Sequence, residues 1–261
     1  MQRRILLLIM SPTILWCLGQ NGWTRDQLTP IYSRNGMVVT EEAQATQIGV
    51  DILKQGGNAI DAAVAVGFAL AVTLPKAGNL GGGGFMMGHM APTKKTLALD
   101  YREVAPARAY RNMYIDKGGH VDKEKIRFSH QAVGVPGTVA GLIAALKCCG
   151  TIPLNILLRP AIKLAKGGIL VTPELAASIK ASAQKLKRWP TSAGVFFKSK
   201  GKYFLPGEKF TQPDLAWSLE QIAKDGAEAF YSGPIARLIS KDMENNGGLI
   251  TVSDLKNYRV K

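Results

Sequence analysis

The chain has 261 residues, 46% of them hydrophobic and 20% charged, a globular composition that excludes a disordered or collagen-like protein. Its formal net charge is +14, which suits an anionic small ligand. The basic residues are spread, with a modest cluster from Lys180 to Lys202 and neither an RNP-like aromatic motif nor zinc-finger spacing, so nucleic acid is not an expected partner.

Gln2-Arg3-Arg4 forms a positive start, and Ile5 to Leu18 is apolar apart from Ser11, Pro12 and Thr13. This run is short for a membrane span and is broken by proline. Residues 1–19 therefore read as a cleaved secretory signal, with an uncleaved anchor as the alternative and membrane contact expected only in that case. Residues 20–35 read as a polar, flexible lead-in. Met37-Val38-Val39 suggests a short strand, and Thr40 the cap of a helix with Glu41 and Glu42 in its first turn. Ala45, Ile48, Gly49, Ile52 and Leu53 repeat at helical spacing and predict one buried face, stopped by Gly56-Gly57.

Asn58 caps a second predicted helix, Ala59 to about Leu74, which is apolar nearly all round and so expected to be buried on every side. It leads into Gly81-Gly82-Gly83-Gly84. Two short apolar runs follow as a hairpin ending at Tyr101-Arg102-Glu103. Ala107 to Gln131 is irregular. Further helices are predicted from Pro136-Gly137-Thr138, from Leu154 to Lys166, from Thr172-Pro173-Glu174 to about Leu186, from Gln212-Pro213-Asp214 to about Asp225, and from Pro234 to about Asn245. Val195 to Phe204, with Lys200-Gly201-Lys202 as its turn, reads as a second hairpin, and Thr251 to Leu255 as a capped turn.

The chemistry-bearing residues are sparse. His89, His120 and His130 are scattered, with no metal-ligand spacing. Of three cysteines, Cys17 lies in the presumed signal. Cys148 and Cys149 are adjacent, where a disulfide is strained and rare, so they are expected to be small apolar residues near a helix end. A phosphate cradle at the glycine run is excluded, because a dinucleotide fingerprint needs a strand before the glycines and a helix after them. Neither a Gly-Lys-Ser/Thr P-loop nor a Gly-x-Ser-x-Gly elbow is present. Four successive glycines are kept where backbone passes close to something or φ must be positive. Arg102, at the end of the second strand, is either a solvated charge or a planar fork for a carboxylate.

Six strings then point one way: Ala45-Thr46-Gln47-Ile48-Gly49-Val50-Asp51-Ile52-Leu53, Gly56-Gly57-Asn58-Ala59-Ile60-Asp61-Ala62-Ala63-Val64-Ala65, Ala77-Gly78-Asn79-Leu80-Gly81-Gly82-Gly83-Gly84-Phe85-Met86, Asp100-Tyr101-Arg102-Glu103, Pro136-Gly137-Thr138-Val139-Ala140-Gly141, and Asn246-Gly247-Gly248-Leu249-Ile250-Thr251. In this order they resemble the γ-glutamyltransferases (glutathione hydrolases) of the N-terminal-nucleophile hydrolase superfamily, from about Gly36 to Tyr258. The resemblance implies an α/β fold, part of a four-layer αββα arrangement, with helices outnumbering strands in this portion. Residues 36–261 would be an incomplete large-subunit region. The family cleaves the γ-glutamyl bond of glutathione and transfers the group to water, amino acids or peptides. The implied partners are glutathione, other γ-glutamyl compounds and the small subunit of the same precursor. No cofactor is implied. Arg102 matches the residue that binds the α-carboxylate of the γ-glutamyl group. The family's nucleophile is a threonine that becomes the N-terminus of the small subunit, and no residue of this chain matches it. The chain alone is therefore expected to be inactive. A non-catalytic relic, or a γ-glutamyl-binding module of the same fold, is the alternative. The family works outside the cytoplasm, which agrees with export.

Overall fold

The computed structural model describes residues 30–261. The predicted signal and the first ten residues of the lead-in lie outside the described residues. Residues 30–35 carry no helix or strand, and Gly36 to Lys261 form one compact unit.

In chain order the elements of this unit are α1 (Ala43–Lys54), α2 (Ala59–Thr73), β1 (Phe85–Met90), β2 (Lys95–Asp100), α3 (Lys125–Phe128), α4 (Thr138–Cys149), α5 (Leu154–Gly167), β3 (Ile169–Leu170), α6 (Pro173–Ala181), α7 (Ala183–Leu186), α8 (Pro190–Phe196), β4 (Lys209–Phe210), α9 (Pro213–Asp225), α10 (Ala227–Tyr231), α11 (Pro234–Asn245) and α12 (Val252–Asn257). Helices dominate, and the strands form two separate antiparallel pairs, β1–β2 and β3–β4.

The core is built on α2. Its Ile60, Val64, Ala65, Phe68 and Val72 are all buried. A capping box starts it: the Asn58 carboxamide accepts from the Ile60 and Asp61 amides, and the Asp61 carboxylate accepts from the Asn58 amide at 2.9 Å. α1, α4 and α5 pack around it. Gly49 of α1 lies so close to Val66 that a Cβ there would sit 2.8 Å from a valine methyl. α9 closes the other side of α5, and the buried Gln212 carboxamide donates to the Val72 carbonyl at 2.8 Å, filling an end that α2 leaves open. The β1–β2 hairpin pairs Phe85 with Asp100 through Met90 with Lys95. Its inner face carries the half-buried Met86, Met90, Leu97 and Leu99, which pack on the core, while Phe85 and Met87 point outward, 64% and 80% exposed.

Four expectations need correction. Met37 to Val39 is not a strand: Met37 and Val39 are exposed, and the segment pairs with no strand among the described residues. Thr40 is not the cap of α1. Its hydroxyl donates to the Glu42 carbonyl and accepts from the Glu42 amide, and the Glu42 carboxylate caps the helix instead, accepting from Ala45 at 2.9 Å. The second hairpin is reduced to a single bridge, Lys198 with Lys202, because Pro190 sits at the first position of α8 and carries Val195 into a helix. Cys148 and Cys149 occupy the last two positions of α4, at the helix end as expected, with their sulfurs in contact. The predicted helix from Pro173 to Leu186 also divides at Ser182 into α6 and α7.

Candidate functional site

The glycine run is a close-packing device. None of Gly81, Gly82, Gly83 or Gly84 has positive φ. A Cβ on Gly83 would lie 2.5 Å from the Tyr101 carbonyl oxygen and 2.8 Å from both the Arg102 Cα and the Glu103 nitrogen. The run therefore lies directly on the backbone of the Tyr101-Arg102-Glu103 tip. Gly84 and Tyr101 exchange two peptide hydrogen bonds, extending the hairpin ladder by one pair.

The loop is held from below by α4. The Gly82 carbonyl accepts from the amides of Gly137 and Thr138, at 2.7 and 3.0 Å. These are donors at the start of a helix, which otherwise lack partners. Asn79 completes the turn, its Oδ1 accepting from the Gly82 amide and the Thr138 hydroxyl, each at 2.8 Å. The Tyr101 ring packs against the Gly84 and Gly141 backbones, and its burial pushes the phenol up from its ordinary pKa.

Arg102 stands at the end of this assembly. Its backbone is clamped on both sides: its amide donates to Asp100 Oδ1 at 3.0 Å, and its carbonyl accepts from the Tyr258 hydroxyl at 2.9 Å. Burial, then the nearby Asp100 and Glu103 carboxylates, push the Tyr258 phenol up to about 12, so it remains a donor across the physiological range. The Arg102 side chain itself is exposed, with its guanidinium carbon 5.8 Å from the centroid of the Phe85 ring. No carboxylate among the described residues forms an ion pair with it. A planar cation seated on a fixed backbone, with its five donors uncommitted to protein acids, is equipped to receive a carboxylate.

The chain beyond Arg102 is stitched to the C-terminal part of the unit. Val104 bridges Val135, the Ala107 amide donates to Asp254 Oδ1 at 2.7 Å, and the Arg108 guanidinium donates to the Leu249 carbonyl. Four of the six sequence strings thus meet at one place: the glycine run, Asp100 to Glu103, Pro136 to Gly141, and Asn246 to Thr251. Sequence reasoning singled out Arg102 but missed the residues that seat it. Asn79 and Asp100 lay inside the recognised strings, but Tyr258 carries no local signal of its part. His89, His120 and His130 are not brought together, and no cluster of three metal-ligating side chains exists among the described residues.

Residues 45–261 match the family model described as gamma-glutamyltranspeptidase. The chain is 48% identical over 240 residues to the glutathione hydrolase proenzyme of Escherichia coli (strain K12), covering 92% of this chain and 41% of that protein. It is 44% identical to the glutathione hydrolase proenzyme of Pseudomonas sp. (strain A14), covering 89% and 40%. Among solved structures it is similar to the gamma-glutamyltranspeptidase of Helicobacter pylori, with a TM-score of 0.87 and 46% identity over 89% of this chain and 66% of that one. The enzyme from Pseudomonas nitroreducens, solved in complex with L-DON, gives a TM-score of 0.81 at 40% identity, covering 88% of this chain and 67% of that one. The expected partial α/β fold of the N-terminal-nucleophile hydrolases is thereby found, and the chain spans about two-fifths of the length of these curated relatives. Its sequence and its fold agree: the chain belongs to the gamma-glutamyltranspeptidase family.

Proposed function

We propose that the chain is the carboxylate-binding part of a glutathione hydrolase that cleaves γ-glutamyl bonds and passes the γ-glutamyl group to water, amino acids or peptides. The observation that carries this reading is Arg102: an exposed guanidinium without an acidic partner among the described residues, on a backbone fixed by Asp100 and Tyr258. Arg102 holds the α-carboxylate of the γ-glutamyl group by a charge-assisted, bidentate contact. The nucleophilic threonine and its α-amine base belong to the part of the family's length that this chain does not match, so the chain alone is inactive and works with the small subunit. The protein is exported, its first 19 residues acting as the signal; N-terminal sequencing of secreted material finding Met1 intact would reject that assignment.

Release of p-nitroaniline from γ-glutamyl-p-nitroanilide tests the catalytic reading. The chain alone should release none, and a version extended through the family's remaining length should turn over. Losing a buried charge-pair contact costs about 2–5 kcal/mol. Arg102→Ala in the extended enzyme should therefore lower kcat/KM by roughly 30- to several-thousand-fold. Arg102→Lys should also be poor, since a point charge does not reproduce the fork. Turnover by the chain alone would overturn the missing-nucleophile reading. An Arg102→Ala enzyme with normal kcat/KM would return Arg102 to a surface charge.

A further inference from the structure

Half of the chain's net charge sits in one seventh of its length. Residues 176–212 contain eight lysines or arginines and a single acid, Glu208. They fold as the end of α6, then α7, α8, the turn at Ser199–Gly201 and β4, around a small apolar cluster of Ile179, Ala183 and Phe197. The one acid is already engaged: Lys198 Nζ lies 2.7 Å from both of its oxygens, and its carboxylate also accepts from the Leu205 amide. Lys180, Lys187, Lys200, Lys202 and Lys209 are exposed and form no ion pair among the described residues.

Two features distinguish this face from an ordinary solvated patch. The first is a cavity of about 440 Å³ lined by Lys187, Gly194, Phe197, Lys198, Ser199 and Lys200. Lys187 is held in place by two rings, its nitrogen 4.8 Å from the Phe197 centroid and 5.2 Å from that of Tyr203. Lys200, at φ 60°, sits at the tip of the turn. Lys187, Lys200 and Ser199 among its lining residues are a donor set suited to a phosphate, Lys198 being held by Glu208. The second is the apolar side chains beside the lysines. Leu205 is 60% exposed and follows the turn that Glu208 ties to Lys198, and Leu170 is 65% exposed and is the register partner of Lys209.

We propose that this face is a peripheral membrane-docking surface for anionic phospholipid. A headgroup phosphate occupies the cavity beside Lys187 and Lys200, while Leu170 and Leu205 enter the edge of the acyl region. Exposed aliphatic side chains among lysines are the pattern that binds anionic interfaces. Single-stranded nucleic acid would instead need free aromatic faces for stacking. Here Phe197 is buried and Tyr203 is taken by Lys187.

The test is partitioning of the full 261-residue chain onto vesicles of phosphatidylcholine, with and without phosphatidylglycerol, at low and high salt. The parent should prefer the phosphatidylglycerol vesicles and lose that preference in salt. Each lysine near an anionic surface is worth about a fivefold change in partitioning. Lys200→Ser/Lys202→Ser/Lys209→Ser should therefore lower it by about 100-fold. Comparing parent with variant cancels any contribution of the apolar N-terminal segment. Leu170→Ser/Leu205→Ser should weaken binding to both vesicle types. All five positions are exposed, and unchanged circular dichroism melts would exclude unfolding as the cause. Equal partitioning of the parent onto both vesicle types would overturn the proposal, as would a triple-lysine variant that binds like the parent. Lysine dependence without leucine dependence would make the face a general polyanion binder and overturn the lipid assignment.

Discussion

Asp61 is a carboxylate with no exposed surface. Burial alone raises a carboxyl pKa, but here hydrogen bonds from Ile152, Thr151 and Asn58 outweigh it and hold the group below its ordinary value. The donors are the amides of Asn58, Thr151 and Ile152 and the Thr151 hydroxyl, at 2.7 to 3.0 Å. One side chain thereby starts α2 and fixes the turn between α4 and α5. Asp61→Asn replaces an acceptor-only group with one that turns an NH2 toward donors, and a buried group left unsatisfied costs about 1–3 kcal/mol. Urea unfolding at neutral pH should show a loss of about 1–3 kcal/mol. A depressed folded-state pKa contributes stability that is complete above the unfolded value and lost as pH falls through the folded one. The gap between parent and variant should therefore hold at neutral pH and narrow only below about pH 4. A gap that does not change with pH would show that Asp61 does not titrate as described.

At the scale of elements, the glycine run makes a prediction that composition alone does not. Gly83 lies on the Tyr101–Glu103 backbone, whereas a Cβ on Gly81 would meet nothing within 4 Å. Gly83→Ala should destabilise by about 1–3 kcal/mol, the usual cost of overpacking, and Gly81→Ala should be near neutral. Thermal melts of the two variants decide this; equal losses would mean that the run is kept for flexibility. The helices were legible because their ends are written locally: the Asn58–Asp61 box, Pro173, Pro213 and Pro234 at first helical positions, and the glycines that follow. The hairpin, and the position of Arg102 just beyond its end, were legible through the glycine run and the strings around it. What stayed hidden has no period to read. β3 and β4 are two residues each and are defined only by pairing Ile169 with Phe210 and Leu170 with Lys209. α8 was missed because Val195 to Phe204 read as a hairpin, although Pro190 starts a helix that runs to Phe196.

The molecule as a whole leaves one surface unfinished. The outward face of the β1–β2 hairpin exposes Phe85 and Met87, and the peptide groups of Thr96 and Ala98 along the outer edge of β2 have no partner among the described residues. An open edge beside an apolar face invites another chain. The chain alone should self-associate as its concentration rises, in light scattering or sedimentation. Met87→Lys, at a position 80% exposed, should reduce that association without lowering the melting temperature. A parent chain that stays monodisperse at high concentration would contradict this.

The bond from Tyr258 to the Arg102 carbonyl joins positions 156 residues apart, and this has a consequence for the order of events during synthesis. The glycine run, the hairpin and Arg102 leave the ribosome early, at about 5–20 residues per second. The hydroxyl that pins the arginine follows well over a hundred residues later. Until then the Arg102 peptide has only its short-range bond to Asp100. Contacts of such long sequence separation form late, because the loop they close is entropically costly. The backbone at Arg102 is therefore among the last parts of this unit to mature, and a nascent chain released before Tyr258 would carry the arginine without its final anchor.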